Sequence, residues 1–218
     1  MTDHDDHADH AGHADHAGHD QHEHAHDHHE HALDHHDHRP LDYAEAVEAF
    51  RAEKDAFFGS QPGSPIPANE RAAFTGLPYY PVDPDLRFED RTLQPYTGGE
   101  PSDFQIPTSD GRLRPAHRAG VLVFELEGQP RQLTAYTFDG GDETSLFVPF
   151  LDATSGTETY GAGRYLDLDL EDDGTYSLDF NLAYHPSCVY DPRFSCPLTP
   201  AENRLPVRIE AGERLAPE

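Results

Sequence analysis

Glycine-bearing turns recur at short intervals through the second half of this chain, and they restrict it to a narrow set of folds. Ser109-Asp110-Gly111, Glu127-Gly128-Gln129-Pro130, Asp139-Gly140-Gly141-Asp142 and Asp172-Asp173-Gly174 combine residues that tolerate left-handed backbone with residues that bond their own main chain. Between and around them, Leu86–Leu93, Asp103–Pro107, Gly120–Leu126, Arg131–Phe138, Thr144–Phe150, Tyr165–Leu170, Tyr176–Phe180 and Pro206–Ile209 read as strands. Short strands joined by such turns pair antiparallel. The expected fold is therefore mainly β, an antiparallel sandwich or partly closed barrel with an N-terminal helix. That helix is predicted over Leu41–Phe58, where Tyr43, Ala46, Val47, Phe50 and Phe57 recur at spacings of three and four, and Gly59 is expected to end it. Pro67-Ala68-Asn69-Glu70-Arg71 offers a second short helix leading to Phe74.

Composition changes abruptly near Arg39, dividing the chain into residues 1–38 and a domain over 39–218. The first part holds 15 of the 17 histidines and 11 of the 42 acids, with no Lys or Arg. It has almost nothing apolar to pack, so disorder is expected. His4, His7, His10, His13, His16, His19 and His22 fall at every third residue. His24, His26, His28 and His29 then crowd together, followed by His31, His35, His36 and His38. In an extended chain with three residues per turn, a period of three sets a row of imidazoles along one edge. Imidazole and carboxylate together suit borderline divalent ions such as Zn²⁺, Ni²⁺, Cu²⁺ and Co²⁺, and Zn²⁺ or Ni²⁺ is the expected cargo. With so many interchangeable ligands, the segment is expected to buffer or deliver several ions. An acidic tail that only solvates, or a purification tag, is the plainer alternative. Protonating all 15 histidines below about pH 6.5 would turn a charge of −11 into roughly +4, so protons and metal compete for the same nitrogens.

The domain carries 15 basic and 31 acidic residues, and Lys54 is the only lysine. This excess of acid argues against nucleic acid as a partner and matches a halophile-type surface, whose self-repulsion concentrated salt screens. No apolar run reaches the roughly 20 residues that a membrane span needs, and the N-terminus does not read as a signal peptide. A cytoplasmic protein without membrane partners is expected. Two cysteines are too few for a secreted disulfide scaffold.

The candidate site lies in the second half. LFVPFLDATSGTETYGAGR, from Leu146 to Arg164, runs from an apolar strand into a loop dense with hydrogen-bonding side chains. Residues 181–205 form a second long, proline-rich segment, and loops of that length in a compact domain commonly carry function. A pocket built from both is expected to bind a small anionic ligand. Arg164 and Arg204 would engage the anion, Asn181 and Asn203 would orient it, and Tyr160 and Tyr184 would line the wall. Glu158 and Glu202 are candidate general bases for a hydrolase. In the third reading these residues only lock loops, in a structural or interaction module. His185, Cys188 and Cys196 follow an H-x2-C-x7-C pattern open to three readings: a zinc site, a disulfide closing a short loop, or buried thiols.

Four stretches resemble DUF1684, a family of uncharacterised proteins. They are SPIP from Ser64, FTGLPYYPVDP from Phe74, LFVPFLDATSGTETYGAGRYLDL from Leu146, and DFNLAYHPSCVYDPRFSCPLTPAENRLPVRIEAGE from Asp179. The resemblance runs from about Leu41 to Glu213 and assigns no activity. Where the family pattern has Ala-Tyr-Asn-Pro, this chain has Ala-Tyr-His-Pro, so His185 stands where an amide would fix the loop. The histidine-rich tail lies outside the resemblance and is similar to segments of metallochaperones and metal-storage proteins.

Overall fold

The computed structural model describes residues 42–142 and 144–216. Segment 1–38, with the disorder and metal ligands expected of it, lies outside the described residues. Asp42 opens helix α1 (Tyr43–Ser60) with a capping box. Its carboxylate accepts from the Glu45 amide at 2.8 Å, and the Glu45 carboxylate accepts from the Asp42 amide at 3.1 Å. Gly59 lies inside the helix and does not end it. A Cβ there would stand 3.4 Å from the Phe74 ring, an ordinary packing contact, so neither space nor backbone demands a glycine at this position. The second expected helix shrinks to one 3-10 turn, Arg71–Ala73, because so short a segment cannot offset the cost of nucleating a helix.

Seven strands follow: β1 (Arg87–Arg91), β2 (Asp103–Pro107), β3 (Leu113–Leu126), β4 (Gln129–Thr137), β5 (Ser145–Phe150), β6 (Arg164–Asp169) and β7 (Tyr176–Asp179). Strands β2-β3-β4-β5-β6 form one antiparallel sheet in that order, and β1 and β7 form a second, two-stranded one. The result is sandwich-like and no barrel closes. Glu127 and Gly128 both take positive φ, 54° and 67°, which gives β3 and β4 the tight two-residue turn that the sequence promised. Between Arg118 and Gly120 the ladder shifts register. At Gly120 the backbone of Gln94 comes so close that a Cβ would meet its carbonyl at 2.5 Å.

The core lies between the two sheets. Leu122, Phe124, Leu133, Val148, Phe150, Leu166 and Leu178 are buried there. Phe180 is the hub, with ring centroids 5.1 Å from Phe150, 5.7 Å from Phe124 and 6.1 Å from Phe88. Helix α1 adds only a narrow stripe, Val47, Arg51 and Phe58. Buried Arg51 docks the helix by donating to the Tyr80 carbonyl at 3.1 Å and lying over the Tyr79 ring at 4.6 Å.

One expected strand is missing. Along Leu205–Ala211 burial alternates as in a strand, with Leu205, Val207, Ile209 and Ala211 inward, yet Pro206–Ile209 joins no ladder. The Leu205 amide donates to the Leu151 carbonyl at 2.7 Å and the Val207 carbonyl accepts from the Ala153 amide at 2.9 Å, but beyond them side chains take over. The Ile209 amide donates to Asp152 Oδ2 at 2.7 Å, and the Ile209, Ala211 and Glu213 carbonyls accept from Arg164. Pairing with side chains satisfies the backbone as well as a neighbouring strand would.

Candidate functional site

Residues 152–164 are held by their own side chains. The buried Asp152 carboxylate accepts from the Thr154 hydroxyl at 2.9 Å, the Ser155 hydroxyl at 3.1 Å and the Ile209 amide at 2.7 Å. Gly163, at φ +103°, passes so near the Phe150 carbonyl that a Cβ would lie 2.5 Å from it. This brings Arg164 into the core with its side chain fully buried. Besides the three carbonyls, its guanidinium lies 3.7 Å from Asp152 Oδ2 and 5.1 Å from the centre of the Phe150 ring. Burial lowers its pKa from the usual value, against the pull of the nearby carboxylates.

The two asparagines are engaged in the same way. Asn203 donates to the Thr134 and Pro149 carbonyls at 2.8 and 2.7 Å and accepts from the Thr134 amide at 2.8 Å. Asn181 accepts from the Asp83 amide at 2.8 Å and donates to the Asp83 carbonyl at 2.7 Å. Neither turns a free polar atom toward a cavity. Arg204, by contrast, is exposed and has no described side-chain partner. The two arginines expected to clamp one anion thus lie in different environments.

Glu158 and Glu202 share no partner. Glu158 is held 2.5 Å from Arg208 and accepts from the Tyr80 hydroxyl at 2.9 Å, contacts that lower its pKa. Glu202 accepts from Arg118 and from the Tyr136 hydroxyl, both at 2.9 Å. Partial burial pushes its carboxyl up, but its backbone, Tyr136 and Arg118 outweigh this and leave it low. Both are therefore weak bases pinned by arginines.

His185 is buried, and its Nε2 accepts the Tyr160 amide at 3.2 Å. Burial, with Arg164 and Lys54 nearby, lowers its pKa to about 3, so the ring is neutral. Cys188 and Cys196 are free thiols, which removes the disulfide. The Cys188 amide lies 3.3 Å from Cys196 Sγ, and burial pushes the Cys196 thiol up to about 11. Among the described residues no group of three His, Cys, Asp or Glu side chains is placed to hold a metal ion.

The sequence did not reveal a buried charge cluster beside α1. Glu213 Oε2 accepts from the His185 amide at 2.7 Å and the Tyr190 hydroxyl at 3.0 Å, while Lys54 Nζ stands 2.6 Å from Oε1 as an ion pair without hydrogen-bond alignment. The Lys54 ammonium also lies 4.7 Å from the centre of the Tyr184 ring, whose hydroxyl donates to Asp167 at 2.5 Å. Two adjoining cavities open here and share Phe50 and Asp167. One, of about 470 Å³, is walled by Lys54, Phe57, Phe58 and Tyr184. The other, of about 480 Å³, is a groove between α1 (Tyr43, Ala46, Val47, Phe50) and β6 (Leu166–Asp169), closed off by Asp179 and Leu182. Of the residues expected to bind a ligand, only Tyr184 lines either cavity. Two signals pointed here: a lone lysine in an arginine-rich domain, and the acid-apolar alternation of Asp167-Leu168-Asp169-Leu170-Glu171.

Comparison with known proteins agrees with this architecture. The solution NMR structure of an uncharacterised protein from Haloarcula marismortui is 41% identical, with a TM-score of 0.59, covering 78% of this chain and 92% of that one. None of the curated proteins matches the chain. A family model described as a protein of unknown function matches residues 72–214, well over half the chain, and with it this protein belongs to the DUF1684 family.

Proposed function

We propose that this protein joins a transition-metal-binding arm to a domain that works by binding rather than by catalysis. One observation carries the arm: 15 histidines and 11 acids in 38 residues, without a single competing Lys or Arg. That composition offers many overlapping nitrogen and oxygen sites for Zn²⁺ or Ni²⁺, and it suits loading and release better than one fixed geometry. For the domain, support comes from the way the candidate polar groups are used. Asn181 and Asn203 are bonded inside the fold, Arg164 leaves only its Nε unpaired there, and Glu158 and Glu202 are held by arginines at the surface, whereas the groove beside α1 offers an apolar floor under an acidic rim. A ligand with apolar surface and no excess negative charge fits that lining.

The test compares the metal content of the full chain with that of a chain beginning at Arg39, both purified without added metal and then equilibrated with Zn²⁺. Several ions per full-length chain and none on the shorter one is the expected result. Metal kept by the shorter chain at near-integer stoichiometry would place the site in the domain and overturn the proposal.

A further inference from the structure

Strand β6 is the last strand of its sheet, and its hydrogen bonding has a definite parity. The Leu170 amide donates to the Thr144 carbonyl at 3.1 Å in register with β5, so residues 164, 166, 168 and 170 turn their main-chain groups toward β5. Residues 165, 167 and 169 turn theirs outward. Tyr165 is met there by Tyr184, each amide donating to the other's carbonyl at 2.9 and 3.0 Å. The chain thus makes the first rung of a further ladder and then leaves it. The amides and carbonyls of Asp167 and Asp169 continue the row with no described main-chain partner.

Beside this open edge runs the groove lined by Tyr43, Ala46, Val47 and Phe50, with Phe50 and Leu182 exposed. We propose that the edge of β6 accepts an extended, arginine- or lysine-bearing segment of another protein as an added strand, its apolar side chains lying in the groove. The assignment rests on the binding role proposed for the domain. Strand addition draws affinity from main-chain bonds and specificity from pockets for alternate side chains, and both are present here. Charge decides the occupant. Asp167, Asp169 and Glu171 line the groove, while its one arginine, Arg87, already pairs with Glu89 at 2.6 Å. A second copy of this chain fits poorly, because β6 against β6 would set Asp167 and Asp169 against the same acids.

The test uses the full chain and a fluorescein-labelled peptide of alternating arginine and leucine, seven residues long and blocked at both ends. Anisotropy gives affinity, and residue-resolved amide exchange locates the contact, since the acidic N-terminal segment also attracts arginine. Binding should slow exchange at the Asp167 and Asp169 amides tenfold or more. Asp169→Pro, which removes only an outward N–H from an edge strand, should weaken the located binding at least tenfold, and Asp169→Asn much less. Because the proline variant can fail to fold, the same peptide methylated on alternate amide nitrogens is tested against the parent protein, with a comparable loss expected. Unchanged exchange at Asp167 and Asp169, or equal protection by a glutamate-leucine peptide, would overturn the proposal. So would a dimer of the parent chain that Asp169→Pro abolishes. Decylammonium separates the two readings. If it shifts Val47 and Phe50 resonances while the peptide protects no β6 amide, the groove binds ligands but adds no strand. If neither perturbs this face, both readings fail.

Discussion

At the scale of single residues, the domain turns side chains that resemble ligand-binding groups into structural bonds. Arg164 is the clearest case. Replacing it with alanine leaves three carbonyls without their donor and the buried Asp152 carboxylate without its counter-charge, and the expected loss is about 3–5 kcal/mol of stability in urea unfolding. His185 gives a prediction with a sign. In the unfolded chain it takes up a proton near its ordinary 6.5, but in the fold it stays neutral down to about 3. Between those values the unfolded state binds more protons, so stability falls as pH drops from about 6.5 toward 3. In His185→Asn, melting temperatures measured across that window should decline less steeply. His117 has the opposite sign. Hydrogen bonds that its ring donates to Asp103 at 2.6 Å and Asp139 at 2.8 Å raise its pKa, so the stability it adds is present below 6.5 and fades as pH climbs through the raised value.

At the scale of elements, Gly163 shows how strand and loop are joined. Gly163→Ala forces a side chain into left-handed backbone and against the Phe150 carbonyl, and chemical denaturation should show a loss of about 1–3 kcal/mol. The fold was legible where local chemistry decides it: seven of the eight expected strands form, β2 with the predicted bounds, because alternation and turn residues act over a few positions. Pro206–Ile209 was misread for a physical reason. Its apolar alternation is real, but its partners, Asp152 and Arg164, are side chains some 50 residues away, and no local pattern announces them. The site was less legible for a related reason. Arg, Asn and Glu in a loop look alike in sequence whether they face a ligand or a carbonyl, and only the packed fold shows which. The edge of β6 was hidden because an unpaired strand and a paired one share the same residue pattern.

At the scale of the whole molecule, charge dominates. From Arg39 onward the chain carries a net −16, and residues 1–38 add more. If this surface is of the halophile type, raising KCl to about 1 M, where the Debye length is about 3 Å, should raise the melting temperature by several degrees. Unchanged melting from low to high salt would reject that reading. Removing metal from the full chain with EDTA should leave the domain's melting temperature unaltered, since among the described residues no group of three His, Cys, Asp or Glu side chains is placed to hold a metal ion. The stitching of residues 209–213 by Arg164 bears on heredity as well. An ordinary β-ladder survives nearly any substitution, because its bonds join backbone atoms that every residue except proline possesses. Here three carbonyls depend on a guanidinium that a single codon change can delete. The segment therefore stands or falls with Arg164 and Asp152, and a substitution that removes the arginine obliges all three carbonyls to find new donors at once.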